Sequence, residues 1–472
     1  MDLTDLPDQE IYLPNDFTDP HIFLDSATKF ISGFDRLINM HITNFMTHNQ
    51  WTYIPKEWRE ALLPNENDDY DWISRLVDLA SANMSVDIWP DSLKEYINIT
   101  EKLSLPRESL PGYDTQCTID KLIRLGMTEK KIHEVGPMST VIQHVAHRRQ
   151  VESVMDLGAG QGYLSRTLAY QHNLNVLAVD GSEVQTCGAK WFDKHLLKSR
   201  RPNANLNHVT DMVTPANVST ILAKWSKKQD KEENVVVVEE DEKWLVCGLH
   251  ACGDLSSLML RLFIQSDTIV SLVNVGCCYH FLTEEPYESA GFPLSKYLKV
   301  QQQYRMGSTA HMLACQTPCR WSDKREETLS SFEHHFYRAL LQYIMVEKGL
   351  AQVNSPPVIG RLNKKKDFLS FPIYVRAALK RLKVPENSIT DKEAEAYYAE
   401  AKANQVDKQI AILWTVRILL GPILESIILT DRWLYLKEQL ADLPESNTKG
   451  VWMWPLFDPI TSPRNMVIVA SK

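Results

Sequence analysis

The chain has 472 residues, with 51 Lys and Arg against 60 Asp and Glu, a formal charge of −9. Its 44% hydrophobic and 24% charged residues are those of a globular protein, and this length predicts about two to four structural units. The acidic balance excludes a wholly basic, histone-like polyanion binder, so any nucleic acid must meet a local patch.

The first residues carry Asp2, Asp5, Asp8, Glu10, Asp16 and Asp19 and no base, which predicts neither a secretory signal nor a transit peptide. From about Asp25 to Leu105 apolar residues recur at three-to-four spacing, as in Phe30, Phe34, Leu37, Ile38 and Ile42, then Trp72, Leu76 and Leu79. Residues 1–110 are therefore expected to form a helical N-terminal region, closed by a loop at Pro106, Pro111 and Gly112. A helix follows from Lys130–Lys131 to Gln150. Short runs rich in Val, Ile and Leu then alternate with longer segments: Ser153–Leu157, Asn175–Asp180, Asn205–Thr210, Trp244–Leu249 and Thr268–Gly276. That alternation predicts an α/β fold, a parallel sheet with helices on both faces, over residues 125–325.

Lys227–Lys243 reads as a solvated insertion in which Val235–Val238 could form a short strand. Residues 326–445 turn helical again, as an insertion or cap broken by Pro356–Pro357 and Pro372. The last segment, 446–472, has strand character at Val451–Trp454 and Met466–Ala470 and is expected to complete the sheet. No membrane span is expected. The longest run without Asp, Glu, Lys or Arg, Thr268–Thr283, is 16 residues and holds Asn274 and His280. The apolar segment Ile410–Leu436 is interrupted by Arg417, Glu425, Asp431 and Arg432 and reads as a buried helix. Eight cysteines without a C-x-x-C pair fit a reducing compartment, cytosol or nucleus, and a soluble protein.

The sharpest motif is Asp156-Leu157-Gly158-Ala159-Gly160-Gln161-Gly162, which ends a strand and opens a helix over Tyr163–Tyr170. Glycines there let the backbone approach a ligand closely, and the helix start offers amides to a polar group. Asp156 stands before the first glycine, where a pyrophosphate-binding loop would not tolerate a negative charge. Asp180 ends the next strand, where a carboxylate can accept both hydroxyls of a ribose. An acid at each end favours a ligand with an ammonium group and a ribose but no phosphate, which is S-adenosylmethionine. The cofactor set is then Asp156, Gly158, Gly160, Gly162, Asp180 and, beside the adenine after the third strand, Asp211 with Met212.

Cys247-Gly248-Leu249-His250-Ala251-Cys252-Gly253-Asp254 follows the fourth strand and Asn274-Val275-Gly276-Cys277-Cys278-Tyr279-His280 the fifth, both on the edge that carries the glycine loop. Three chemistries compete: a Cys252 thiolate attacking a pyrimidine, a metal held by His250, Cys252, Cys277, Cys278 and His280, and a base or positioning role for His250 and Asp254 with the cysteines as packing. The third is the reading adopted, without a metal. For Asp254 the plain structural role is to cap the helix that starts at Leu255. No Asn- or Asp-Pro-Pro-Tyr-type motif is present to hold an exocyclic base amine.

Met127–Val135, the glycine loop, Gly248–Leu255, Val275–Phe281 and Ser462–Asn465 resemble the methyltransferase-like protein 25 family, including its branch named for a ribosomal RNA adenine dimethylase domain. The resemblance implies a Rossmann-like class I S-adenosylmethionine-dependent methyltransferase fold with extra helices. The His-x-Cys-Gly and Cys-Cys-x-His elements are also similar to those of a family that methylates tRNA ribose hydroxyls. The expected substrate is RNA, ribosomal or transfer, with no DNA. Arg361, Lys364, Lys365, Lys366, Arg376, Lys380, Arg381 and Lys383, interleaved with Phe368, Phe371 and Tyr374, form the candidate patch. The plainer alternative for that patch is a solvated helix face with its aromatics in the core. Rival functions are a protein methyltransferase and a non-catalytic adaptor that keeps the fold.

Overall fold

The computed structural model describes residues 6–64, 69–82, 84–110, 118–197, 205–226, 242–286, 289–301, 303–444 and 448–472. Most of the expected insertion at Lys227–Lys243, its Val235–Val238 run, and the Pro111–Gly112 turn lie outside the described residues.

Seven strands form one sheet: β1 Ser153–Leu157, β2 Asn175–Asp180, β3 Leu206–Thr210, β4 Trp244–Cys252, β5 Ile269–Cys277, β6 Gly450–Pro455 and β7 Met466–Ser471. Their order is β3-β2-β1-β4-β5-β7-β6, with β7 antiparallel to both its neighbours and the first five strands parallel. The order reverses at β1, and this is the Rossmann-like arrangement. β1, β5 and β7 are buried along their whole length, the pattern of strands covered on both faces. On one face Val135, Met138, Ile142 and Val145 of the helix Glu129–Arg149 pack with Val154, Leu245, Val273 and Val467. Met466–Ala470 thus shares the sheet with Ser153–Leu157, some 300 residues earlier in the chain, because its apolar run fits a position buried on both sides.

The chain folds back on itself in two compact units, and their boundaries differ from the linear segments expected above. The sheet unit takes Met1–Ala27, Ser104–Cys315 and Glu425–Lys472. Its first segment joins it through backbone: Ile11 bridges Met453 in parallel and the Glu10 carbonyl accepts from the Met453 amide at 2.8 Å. The second unit, Thr28–Leu103 with Gln316–Leu424, is helical. Within it the Tyr96 hydroxyl donates to the Val416 carbonyl at 2.7 Å, and Arg417 donates to the carbonyls of Leu37 at 2.9 Å and Ile38 at 2.8 Å. Such long-range bonds carry no periodicity, so the sequence does not display them.

The stretch Val406–Ala441 is long and apolar enough to cross a membrane, but 89% of its most apolar window is buried within the protein. Its buried acids Glu425 and Asp431 have internal partners. Glu425 meets Arg107 at 2.8 Å, Arg464, and the Tyr279 hydroxyl at 2.9 Å. Asp431 accepts from the amides of Leu294 and Ser295 at 2.8 and 2.9 Å. Buried charges of this kind belong to a protein core.

Candidate functional site

The glycine loop leaves β1 at the carboxyl edge. Gly160 has φ +57 and a Cβ built on it meets nothing within 4 Å, so its outer face is open space in which a ligand can approach the backbone. Its neighbours serve packing instead. A Cβ on Gly158 would lie 2.8 Å from Leu255, and one on Gly162 2.7 Å from the ring of His208.

Asp156 is buried, and its Oδ2 accepts from the Ser165 hydroxyl at 2.5 Å. Its Oδ1 is buried with no hydrogen-bond partner among the described residues. Burial raises this acid to about 6, against the lowering effects of the Ser165 hydrogen bond and the His208 charge. Asp180 accepts from the Gly160 amide at 2.8 Å through Oδ2 and from the Ser182 amide at 2.8 Å through Oδ1, tying the loop to the end of β2. Each oxygen keeps acceptor capacity beyond the one amide. After β3, Asp211 is exposed and accepts from the Met212 amide at 2.8 Å. Met212 is 72% exposed, and its sulfur would lie 2.8 Å from a Cβ on Gly181. An open loop face, a buried carboxylate oxygen lacking a donor and an exposed apolar thioether fit a cofactor with a cationic end, a ribose and a flat base.

Between Leu249 and Ala251 the pairing of β4 with β5 shifts register, and His250 sits in that bulge at φ +66. A bulge re-aims one side chain, and a left-handed histidine costs conformational energy that its contacts must offset. The contact is to Glu134, on the helix Glu129–Arg149: His250 Nε2 lies 2.9 Å from Glu134 Oε2. Glu134 is buried, and its Oε1 accepts from the Ser462 hydroxyl at 2.6 Å. Lys131 and Lys130 stand 3.4 and 3.7 Å from its carboxylate. Burial raises the Glu134 acid, but the His250 hydrogen bond and charge, with Ser462 and Lys131, outweigh it and hold the carboxyl at about 2. An ionised carboxylate must receive a proton, so Nε2 carries the hydrogen and Nδ1 the lone pair. His250 Nδ1 makes no hydrogen bond among the described residues.

Sequence reasoning found His250 and missed Glu134, which is 116 positions away and lies in a stretch that reads as an ordinary basic helix. Asp254 differs from its expected capping role. Gly253 is the residue before the helix Asp254–Gln265, and the Asp254 carboxylate accepts from the Thr283 amide at 2.9 Å and the Thr283 hydroxyl at 2.7 Å. It anchors the segment after β5.

The structure brings Cys252, Cys277 and Cys278 together. Cys252 and Cys277 are paired neighbours at the ends of β4 and β5, with sulfurs 3.2 Å apart. Cys278 Sγ lies 3.3 Å from Cys252 Sγ and 3.6 Å from Cys277 Sγ. Contact with the Cys277 sulfur, then with that of Cys278 and the charges of His250 and His280, outweighs partial burial and lowers the exposed Cys252 thiol to about 6. His280 itself approaches Cys315 Sγ at 3.4 Å.

In the helical unit, Phe371 and Tyr374 are buried, packed on Tyr337 with ring centroids 5.3 and 5.5 Å away. Their place in the core agrees with the plainer of the two readings of this patch, a helix face whose aromatics pack inward. Lys364, Lys365, Lys366, Lys380, Arg381 and Lys383 are exposed, while Arg376 pairs with Asp391 at 3.2 Å.

A family model described as a methyltransferase domain matches residues 130–285, from the helix of Glu134 to the end of the Cys-Cys-x-His segment. The chain is 25% identical to the probable methyltransferase-like protein 25 of Mus musculus over 96% of each chain. It is 26% identical to the Homo sapiens protein of that name over 73% of this chain and 75% of that one. Two solved methyltransferases in complex with S-adenosylhomocysteine, the plantazolicin enzyme BamL and coclaurine N-methyltransferase, align at TM-scores of 0.20 and 0.22 and 15% and 13% identity. BamL covers 32% of this chain and 49% of its own, the coclaurine enzyme 84% and 95%, and scores so low carry no weight. The similarity to methyltransferase-like protein 25 read from the sequence is thus shown over most of the chain. The protein is an S-adenosylmethionine-dependent methyltransferase.

Proposed function

From that activity we propose that the acceptor is a hydroxyl of RNA, a ribose 2′-hydroxyl, and that His250 is the base that deprotonates it. The observation that carries this reading is the Glu134–His250 pair at the bulged end of β4. A hydroxyl must lose its proton as its oxygen takes the methyl group, whereas a base amine needs a planar clamp, and no such motif is present. When bound, S-adenosylmethionine supplies a methyl group on a positively charged sulfur.

The chain's residues do the rest. In this reading Asp180 accepts from the cofactor's ribose, Asp156 Oδ1 balances its cationic end, and Asp211 with Met212 borders its adenine. Glu134 holds the Nε2 proton of His250, which fixes the ring and presents Nδ1 as the acceptor. The imidazolium that forms on proton transfer is stabilised by the same carboxylate. An RNA partner is supported by the exposed Lys364–Lys366 and Lys380–Lys383 cations, which can meet phosphates without base readout.

The test is transfer of tritiated methyl from S-adenosylmethionine to total RNA and to protein from cells lacking this chain. Label in RNA that is lost with His250→Ala supports the reading. Label confined to the protein fraction overturns it.

A further inference from the structure

We propose that Cys252, Cys277 and Cys278 bind a zinc ion through three thiolates, with water in the fourth position on the exposed side of Cys252. Three observations support the site. The sulfurs form a near-equilateral triangle with edges of 3.2, 3.3 and 3.6 Å, and their ligand atoms cluster within 4.8 Å of one another. Tetrahedral zinc thiolates, at about 2.3 Å from the metal, place sulfurs roughly 3.8 Å apart, so the triangle need open by only a few tenths of an ångström. At the present spacing an ion at that bond length would stand about 1.2 Å off the plane of the sulfurs. Three thiols packed this closely gain little from each other as neutral groups, whereas soft thiolate sets select zinc.

The second observation is backbone. Cys278 has φ +49, a left-handed conformation that a cysteine does not favour, and it turns this sulfur toward the other two. The third is charge. Arg432 is buried and none of its three guanidinium nitrogens has a hydrogen-bond partner among the described residues. A Cβ on Gly276, the residue before Cys277, would run into Arg432 Nη1. Three thiolates around a dication leave one net negative charge, and Arg432 stands beside them to balance it. Each thiol releases one proton as it ligates, and no electron is transferred.

The site pins the ends of β4 and β5 together next to His250. It departs from the metal-free reading of the sequence, in which these cysteines serve only as packing.

The experiment uses the full chain, purified without chelator or metal-affinity steps. Elemental analysis should find about one zinc per chain, and cobalt(II) exchanged for it should give an intense near-ultraviolet thiolate-to-cobalt band. Single Cys252→Ser and Cys278→Ser variants should weaken zinc retention against chelator by tenfold or more and reduce the band. Cys187→Ser, at an exposed cysteine elsewhere, should change neither. Wild-type protein that stays metal-free after zinc reconstitution overturns the proposal. So does metal retention unaffected by the Cys252 and Cys278 variants, or a Cys252–Cys277 disulfide in protein handled under reducing conditions.

Discussion

Replacing Glu134 with Gln keeps the shape of a buried side chain and its bond to Ser462 while removing the charge that faces His250. With the Gln carbonyl oxygen held by Ser462, its amide nitrogen, a donor, faces His250 Nε2, so the charge-assisted bond at 2.9 Å is lost and the ring must carry its proton on Nδ1; charged hydrogen bonds contribute about 1.5–3 kcal/mol. If that difference is felt in the transition state, where the imidazolium forms, the rate should fall about tenfold to 150-fold, at roughly 1.4 kcal/mol per decade. The assay pairs single-turnover methyl transfer to RNA with calorimetric binding of S-adenosylmethionine. Among the described residues the polar contacts of Glu134 go to His250, Ser462, Lys130 and Lys131 and none to the glycine loop, so affinity for the cofactor should stay within about twofold of wild type. Glu134→Asp, which restores charge on a shorter side chain, should recover part of the rate. Unchanged turnover in Glu134→Gln, or a parallel loss of cofactor binding and thermal stability, would refute the positioning role.

Asp180→Ala should weaken S-adenosylmethionine binding by about 1.5–3 kcal/mol, roughly tenfold to 150-fold by calorimetry, because a charged acceptor for the ribose is lost. Asp156, raised to about 6 by burial, is largely protonated below that pH, and its folded value exceeds the ordinary 3.8. Its ionisation therefore costs stability as pH rises through about 6 while creating the charge that the cofactor's cationic end prefers. Affinity should fall as pH drops below about 6, by up to roughly tenfold per unit, and Asp156→Asn should flatten that dependence. A pH-independent wild-type affinity between pH 4.5 and 7 contradicts the assignment. Gly160→Val should abolish cofactor binding and, at φ +57, lower the melting temperature, whereas Gly158→Val, at φ +73 and also driven into Leu255 at 2.8 Å, should lower it further. A soluble, cofactor-binding fragment ending near Trp321 would show that β6 and β7 are not needed to complete the sheet.

The sheet was legible because its strands are local signals. Ser153–Leu157 and Asn175–Asp180 stand where their apolar runs put them, and the strand at Met466 is set by the same rule. The glycine loop was legible because close backbone approach demands a residue type. What escaped is what depends on contacts between distant segments. Glu134 reads as a helix-surface acid until the bulge at His250 faces it. Asp254 reads as a helix cap until the segment after β5 folds back and places Thr283 on its carboxylate. The sulfur triangle needs the register of β4 on β5 and a left-handed Cys278, neither of which spacing reveals. For Phe371 and Tyr374 the sequence offered both a stacking platform and a core role, and helical spacing sends them inward to Tyr337.

The central claim, a hydroxyl acceptor on RNA activated by His250, is tested most directly by mass spectrometry of nucleosides from RNA treated with the enzyme and isotopically labelled S-adenosylmethionine. The label should appear on a 2′-O-methyl nucleoside, with His250→Ala slowing its formation by about a hundredfold to ten-thousandfold. Label on a base amine or ring carbon, or turnover abolished by Cys252→Ala but untouched by His250→Ala, would contradict it.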